Sequence, residues 1–579
     1  MKIKFRGILF ILFIVVSCAY FKKIQKAELM VGKKRSQYES FGKKYMISSQ
    51  GESTTKAAKF AFDNGGNIFD AAAAASFAIS VERPHSTGLG GGGFMLIHHD
   101  KTKKTEAFDF REMAPRMARK NMFLDKNGKQ VKDRSLTGSL SVGTPGLVAG
   151  VVEVHQKYGK LPLEKILQPA IEMAENGFKI YPALHEAIKD KASDLCKFEE
   201  SKKIFLKKNC QALEAGFLLK QTDLAWTLKE IAKSGVDAFY KGEISKRIID
   251  SQKKYNGLIS KDDLLNYKVK VREPIEGNFK GYKIVSMPPP SSGGTHIIQI
   301  LNILENYDLK SMGAQSAKAI HLTSSAMQMA FADRAEYMGD SDFTSVPVKT
   351  LISKRYAKKL AAKIHPSKAL SSKDFPIPFE KILREPDHTT HFTIMDDKGN
   401  IVTSTQTING WFGSSLVAGG TGIVLNNEMD DFASHVGGIN LFGAVGGKNN
   451  LVSPRKRPLS SMSPTIVFNK KNEPLMALGT PSGTRILTCV MQTILNVLEY
   501  DMNLWDAVAA TRYHHQWNPE EIRIGPPFFS PKVEEELISY GHKINHKSLG
   551  CKVQAVLKDG KILQGVSDPR EEGMSYGAN

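Results

Sequence analysis

At 579 residues the chain exceeds one ordinary hydrophobic core, so two domains or two interleaved segments are expected. Its 41% hydrophobic and 24% charged residues are the fractions of a soluble globular protein. The net charge of +21 is scattered along the chain without zinc-finger spacing or an aromatic–basic motif, which favours a solvated basic surface over a nucleic-acid partner.

Residues 1–19 combine a basic start with an apolar run shorter than the roughly 20 residues a membrane-spanning helix needs. They read as a secretory signal peptide. Ser17 and Ala19 suit an ordinary signal peptidase, whereas V-V-S-C suits lipidation at Cys18. Either route implies export, and no transmembrane span is expected in the mature protein. Cys196 and Cys210 flank a Lys-rich polar stretch and are able to pair, which would contribute about 3 kcal/mol in the chain-entropy account. Cys489 reads as a buried small hydrophobe, and Cys551 has no obvious partner. No metal-ligand spacing occurs, so no metal and no cofactor are expected.

From Ser53 to Glu82 an Ala-rich pattern predicts helix packed closely on a sheet. The glycine run at 90–93 precedes a strand; without the G-x-x-x-x-G-K-[ST] pattern it reads as tight backbone packing. A strand over 105–112 ends in Phe110-Arg111-Glu112. Residues 144–370 alternate helical and short extended segments. Within them Ala314–Met338 predicts a long buried helix whose Asp333, Arg334 and Glu336 form a structural network. Residues 366–387 are polar and punctuated by Pro376, Pro378 and Pro386, a linker composition.

The next stretch, Pro386 to Gly413, predicts a hairpin around Asp-Lys-Gly-Asn, with His391, Thr393 and Met395 on one face and Phe392, Ile394 and Asp396 on the other. Such a hairpin returns Thr407 to the neighbourhood of Thr389. A glycine-rich loop at 437–448, with Leu441-Phe442 at its tip, reads as mobile. Ser460 and Ser461 present adjacent hydroxyls. Strands over Thr465–Phe468 and Leu475–Leu478 lead to G-T-P-S-G-T-R, a turn opening a helix from Arg485. Free N–H groups and the positive dipole end at such a turn suit an oxyanion hole.

Several long words in order carry a family resemblance from about residue 45 onward: G-L-G-G-G-G-F-M-L-I (88–97), D-F-R-E-M-A-P (109–115), S-M-P-P-P-S-S-G-G (286–294), T-T-H-F (389–392), L-N-N-E-M-D-D-F (425–432) and R-P-L-S-S-M-S-P-T (457–465). The chain resembles the gamma-glutamyltransferases of the bacterial secreted or periplasmic branch, members of the N-terminal nucleophile hydrolases. The resemblance implies a layered α/β fold, a four-layer αββα sandwich. It also implies self-cleavage between His388 and Thr389 into a large subunit (20–388) and a small one (389–579), intertwined in one globular unit. Thr389 is then the nucleophile and, through its new α-amino group, its own base; the reference pKa of about 7.7–8.0 suits that work. Thr407 orients it, and the N–H groups of Ser482 and Gly483 stabilise the oxyanion.

By the same resemblance Arg111, Ser460 and Ser461 bind the donor's α-carboxylate, while Asn409, Glu428 and Asp431 bind its α-ammonium. Glutathione and related γ-glutamyl compounds are the implied donors; water, amino acids or dipeptides are the acceptors. Three positions depart from the family pattern: Ser482 where a glycine is usual, Glu428 for glutamine, and Phe442 for the lid tyrosine. A related amidase, a γ-polyglutamate transpeptidase and an inactive envelope lipoprotein that only binds a ligand are the rival readings. The full ammonium-binding set, the lid loop, and the intact Thr389, Thr407 and Asn409 oppose them in turn.

Overall fold

In a computed structural model, residues 35–131, 133–375 and 388–579 are described. The signal segment with Cys18 and most of the 366–387 linker lie outside them.

Fourteen strands form two seven-stranded sheets. In chain order they are β1 (Glu39–Gly42), β2 (Tyr45–Ser49), β3 (Gly92–His99), β4 (Lys104–Asp109), β5 (Lys270–Arg272), β6 (Ile275–Phe279), β7 (Tyr282–Ser286), β8 (Thr390–Asp396), β9 (Ile401–Thr407), β10 (Thr465–Phe468), β11 (Pro474–Gly479), β12 (Gln554–Asp559), β13 (Ile562–Ser567) and β14 (Met574–Ala578). One sheet runs β1-β13-β12-β11-β10-β7-β6, the other β14-β2-β8-β9-β3-β4-β5. Both draw strands from either side of residue 388, so neither of these two sheets belongs to one side of it alone.

Alternation along β8 explains the layering. Met395 joins the core between the sheets, with Met46, Leu96, Met476 and Val556. Phe392 and Ile394 point the other way, among Phe77, Ala78 and Val81 of the helical layer. A period of two thus lets one strand face a second sheet and a helix layer at once. His391 and Thr393 fill the inter-sheet side as a polar strip, with His391 Nδ1 2.9 Å from Thr405 Oγ1 and Nε2 3.0 Å from Thr393 Oγ1.

The helices that position the site are α1 (Glu52–Asp63), α2 (Ile68–Glu82), α3 (Leu147–Tyr158), α4 (Gly293–Leu304), α5 (Ala317–Tyr337) and α6 (Arg485–Leu498). The Ala-rich helical pattern is two helices, α1 and α2. Gly65, at φ +84°, breaks it, and Asn67 and Asp70 restart it with a reciprocal capping box. The fully buried Ala71–Ala75 run then lets α2 approach β8 and β9 closely. The glycine run packs as read: a Cβ on Gly91 would stand 2.0 Å from the Thr407 carbonyl oxygen, which only glycine tolerates. No helix among the described residues is long and apolar enough to cross a membrane.

Cysteine pairing follows the reading for one pair and departs from it for the other. Cys196 and Cys210 are bonded, and so are Cys489 and Cys551. The second pair ties α6 to the chain ahead of β12, so Cys489 is a cross-link between elements as well as a packed hydrophobe.

Candidate active site

The hairpin β8–β9 pairs Thr390 with Gln406, leaving Thr389 and Thr407 just beyond the register. Their hydroxyl oxygens are 3.2 Å apart. Thr407 Oγ1 also accepts the Asn409 N–H at 2.9 Å, which leaves its own proton free to donate to Thr389. Thr389 itself has φ +94°, a conformation that a β-branched residue adopts only under constraint. Its preceding carbonyl, that of His388, accepts the Ser482 N–H at 2.9 Å. The bond expected to break is thus strained on one side and polarised at its oxygen.

Ser482 sits in the turn between β11 and α6 with φ +111°. The side chain that replaces the usual hydrogen holds this conformation. Its Oγ donates to the Leu549 carbonyl at 2.5 Å and accepts from Arg485 Nε and Nη2 at 3.0 and 2.9 Å, while Arg485 Nε also reaches Leu549 O at 2.8 Å. The Cys489–Cys551 bond lies beside this clamp, packed with Leu549. Gly483, at φ +55°, is covered by the Phe442 ring, which a Cβ would meet at 2.2 Å.

Thr389 shares one cleft with Arg111, Thr407, Asn409, Glu428, Asp431, Phe442, Ser460, Ser461 and Gly483. Ten of the eleven expected residues therefore line it, and Ser482 borders it through the His388 carbonyl. The groups assigned to opposite ends of a donor hold each other here. Arg111, 1% exposed, forms an ion pair with Glu428 through Nη1 and donates from Nη2 to Asp431 Oδ2 at 2.5 Å. The free volume is about 20 Å³, room for about one water. Asn409 Nδ2 donates to the Asn427 carbonyl at 3.0 Å. Ser460 Oγ accepts the Met462 N–H at 3.1 Å.

Burial pushes the carboxyls of Glu112, to about 7, and Glu428, well above the usual range, against the pull of Arg111. Burial likewise lowers the Arg334 guanidinium to about 10. It also holds His388 well below the usual histidine range, hence neutral.

Three residues of the site were not singled out from the sequence. Arg334 of α5, read as part of a structural network, lines the cleft and donates to Ser292 Oγ at 3.0 Å. Asn440 also lines it and donates to Asp431 Oδ1 at 2.7 Å. Glu112 lies 3.8 Å from Arg111 Nη1. The 437–448 loop, read as mobile, is stitched down: Leu441 N–H donates to Asp430 Oδ2 at 2.7 Å, and Phe442 is 4% exposed. Glycine content set the expectation; the adjacent carboxylates Asp430 and Asp431 overrode it. Among the described residues no group of His, Cys, Asp or Glu has the arrangement of a metal site.

The sequence profile of the family described as Gamma-glutamyltranspeptidase matches residues 54–578. The chain is 44% identical over 530 residues to the glutathione hydrolase proenzyme of Escherichia coli (strain K12), covering 91% of this chain and 90% of that one. The crystal structure of Helicobacter pylori gamma-glutamyltranspeptidase is 45% identical, with a TM-score of 0.55, over 56% of this chain and 93% of that chain. The cephalosporin acylase of Bacillus halodurans shares the fold at a TM-score of 0.82 and 24% identity, over 95% and 98% of the two chains.

Proposed function

The chain belongs to the gamma-glutamyltranspeptidase family, and we propose from the geometry of its cleft that it carries out that family's reaction through Thr389. It cleaves γ-glutamyl amides such as glutathione and passes the γ-glutamyl group to water, an amino acid or a dipeptide. The observation that carries this reading is the single cleft in which Thr389 meets Arg111, Asp431, Ser460 and Ser461.

Maturation comes first. In the continuous chain the Thr389 nitrogen is a peptide nitrogen and cannot act as a base. Its Oγ attacks the His388 carbonyl, which is near by connectivity and already bonded to the Ser482 N–H. The ester that forms is hydrolysed, which leaves a large fragment ending at His388 and a small one beginning at Thr389. The freed α-amino group then takes the proton from Thr389 Oγ as that oxygen attacks the donor's γ-carbonyl. Thr407 orients the hydroxyl, and the Ser482 and Gly483 N–H groups face the developing oxyanion. One donor thus serves both carbonyls in turn.

Donor binding is an exchange of ion pairs. The α-carboxylate takes the place of Glu428 and Asp431 at Arg111, with Ser460 and Ser461 alongside. The α-ammonium takes the place of the guanidinium at Asp431 and Glu428, near Asn409. No charge is left unpaired, which is what makes entry into so buried a site tolerable. Phe442 closes over Gly483 by apolar contact in place of a tyrosine hydroxyl. The N-terminal signal segment implies export to the periplasm or beyond, by ordinary cleavage near Ala19 or by lipidation at Cys18.

The test is release of p-nitroaniline from γ-glutamyl-p-nitroanilide by wild type and by Thr389→Ala. Release by wild type alone supports the reading; equal release by both contradicts it.

A further inference from the structure

The Phe442 ring that covers Gly483 carries no polar atom, so the lid cannot be latched through it. Asn440 folds the lid's tip. Its Oδ1 accepts the Phe442 and Ala444 N–H groups at 3.0 and 2.9 Å, and its carbonyl accepts the Gly443 N–H at 2.9 Å. The two carbonyls of that tip are met by Gln516, which is far along the chain. Gln516 Nε2 donates to the Gly443 carbonyl at 3.2 Å and to the Phe442 carbonyl at 3.4 Å, and to the Asn518 carbonyl at 3.1 Å. The other end of the same amide meets only donors in these contacts. Gln516 Oε1 accepts from Thr484 Oγ1 at 2.7 Å and lies 2.9 Å from His514 Nε2. Burial, with the charges of Arg485 and Arg523, holds His514 well below the usual histidine range, hence neutral. Its Nδ1, 2.9 Å from Thr488 Oγ1, accepts that hydroxyl's proton, so the ring's own proton sits on Nε2 and is given to Gln516. Carbonyls on one side and donors on the other leave the amide a single orientation. Gln516 is 5% exposed and Thr484 2%. Thr484 follows Gly483, caps α6 and lines the donor cleft. One buried amide thus joins the tip of the lid to the turn that carries the oxyanion donors.

We propose that Gln516 is the positioning residue of the lid: its carboxamide holds the tip over Gly483 and keeps lid and oxyanion turn in register. The proposal rests on the donor site and oxyanion turn of the preceding subsection. The lid stands on two feet. One is Asn440, whose Nδ2 donates to Asp431, a carboxylate that the donor's ammonium claims on entry. The other is Gln516, which grips main-chain carbonyls that the donor's charges do not displace. As the first foot is exchanged for the donor, the second keeps the Phe442 ring in place. Three carbonyl oxygens converging on one NH₂ group tolerate a donor there and repel an anion.

The test replaces Gln516 twice and reads two quantities. One is kcat/KM for γ-glutamyl-p-nitroanilide as a ratio to wild type; the other is chymotrypsin cleavage after Phe442, which the closed lid leaves 4% exposed. Gln516→Glu keeps the shape and the acceptor end. Protonated, its carboxyl still donates to the tip; ionised, it sets a charge against the carbonyls. The ratio for this variant should be within about threefold of one near pH 5.5 and roughly tenfold lower near pH 8.5, with cleavage after Phe442 rising in step. Gln516→Met removes both ends, so a loss of about tenfold and rapid cleavage should appear equally at both pH values. This apolar variant stays informative if the first does not fold. A pH-independent ratio in Gln516→Glu, or cleavage after Phe442 as slow as in wild type in either variant, overturns the proposal. Failure of both variants to fold also overturns it, since Gln516 would then serve the fold and not the lid. A wild type that hydrolyses no donor overturns the Thr389 reading, while the cleavage measurement still decides the lid.

Discussion

The two cavities on either side of Thr389 are built on opposite plans. The donor cleft is almost full, with Arg111 closed onto Glu428 and Asp431 and about 20 Å³ left over. The second cavity, of about 260 Å³ and lined by Arg83, His85, His388 and Lys552, is more than ten times larger and keeps buried nitrogens without partners. A site satisfied by its own ion pairs admits only a ligand that replaces both charges at once. That selects for a molecule with a carboxylate and an ammonium on one carbon. A roomier site with unspent donors admits a range of molecules sharing one feature. Strict donor use is therefore expected of the filled cleft.

The most severe way to break this comparison is to remove what the two sides share. Thr389→Ala should stay a single chain on a denaturing gel and lose activity by a factor on the order of 10⁴ or more, as loss of a nucleophile does elsewhere. Thr389→Ser keeps a hydroxyl and should retain part of both cleavage and turnover.

Next in size is the turn between the cavities. Cys551→Ser removes a bond spanning 62 residues, worth about 4 kcal/mol in the chain-entropy account. It also loosens the segment whose Leu549 carbonyl holds Ser482. A lower thermal midpoint, with the wild type matching it only after reduction, is the expected result; midpoints unaffected by substitution or reductant would remove the tether.

Arg111→Lys strikes the donor side alone. It exchanges a two-pronged contact for a single point, so kcat/KM for a γ-glutamyl donor should fall by roughly 10- to 100-fold, with cleavage into two fragments preserved. Unchanged steady-state kinetics would take Arg111 out of the donor site.

The smallest effect concerns pH. Burial raises the Asp430 carboxyl to about 7, even though it accepts from Ser135 Oγ at 2.6 Å and from the Leu441 N–H. Between the unfolded carboxylate value near 4 and pH 7 the folded state holds more protons than the unfolded one. Stability should therefore fall as pH rises through that window. Asp430→Asn should flatten this part of the thermal midpoint profile; an identical slope in both proteins would assign the dependence to other groups.

What the sequence made legible was local. Alternation and β-branched residues from 390 to 407 set the hairpin, and the hairpin set the distance between Thr389 and Thr407. The turn at 482–483 followed from its glycine and proline punctuation. Arg334 was not legible, because beside Asp333 and Glu336 on an apolar helix it reads as part of a structural network until the fold brings Asp431 near it. Nor was the role of Ser482's side chain, since Leu549 lies 67 residues away. The Cys489–Cys551 pair did leave a signal: once Cys18 and the 196–210 pair are set aside, two cysteines remain in a chain read as exported.

The account turns on one bond, that between His388 and Thr389. The most direct measurement is the intact mass of the active, purified wild-type protein under denaturing, reducing conditions. Two species are predicted, and the smaller should have the mass of residues 389–579 with a free N-terminal threonine. A single uncut chain with full activity would contradict the account, because the amine assigned as the base would never have formed.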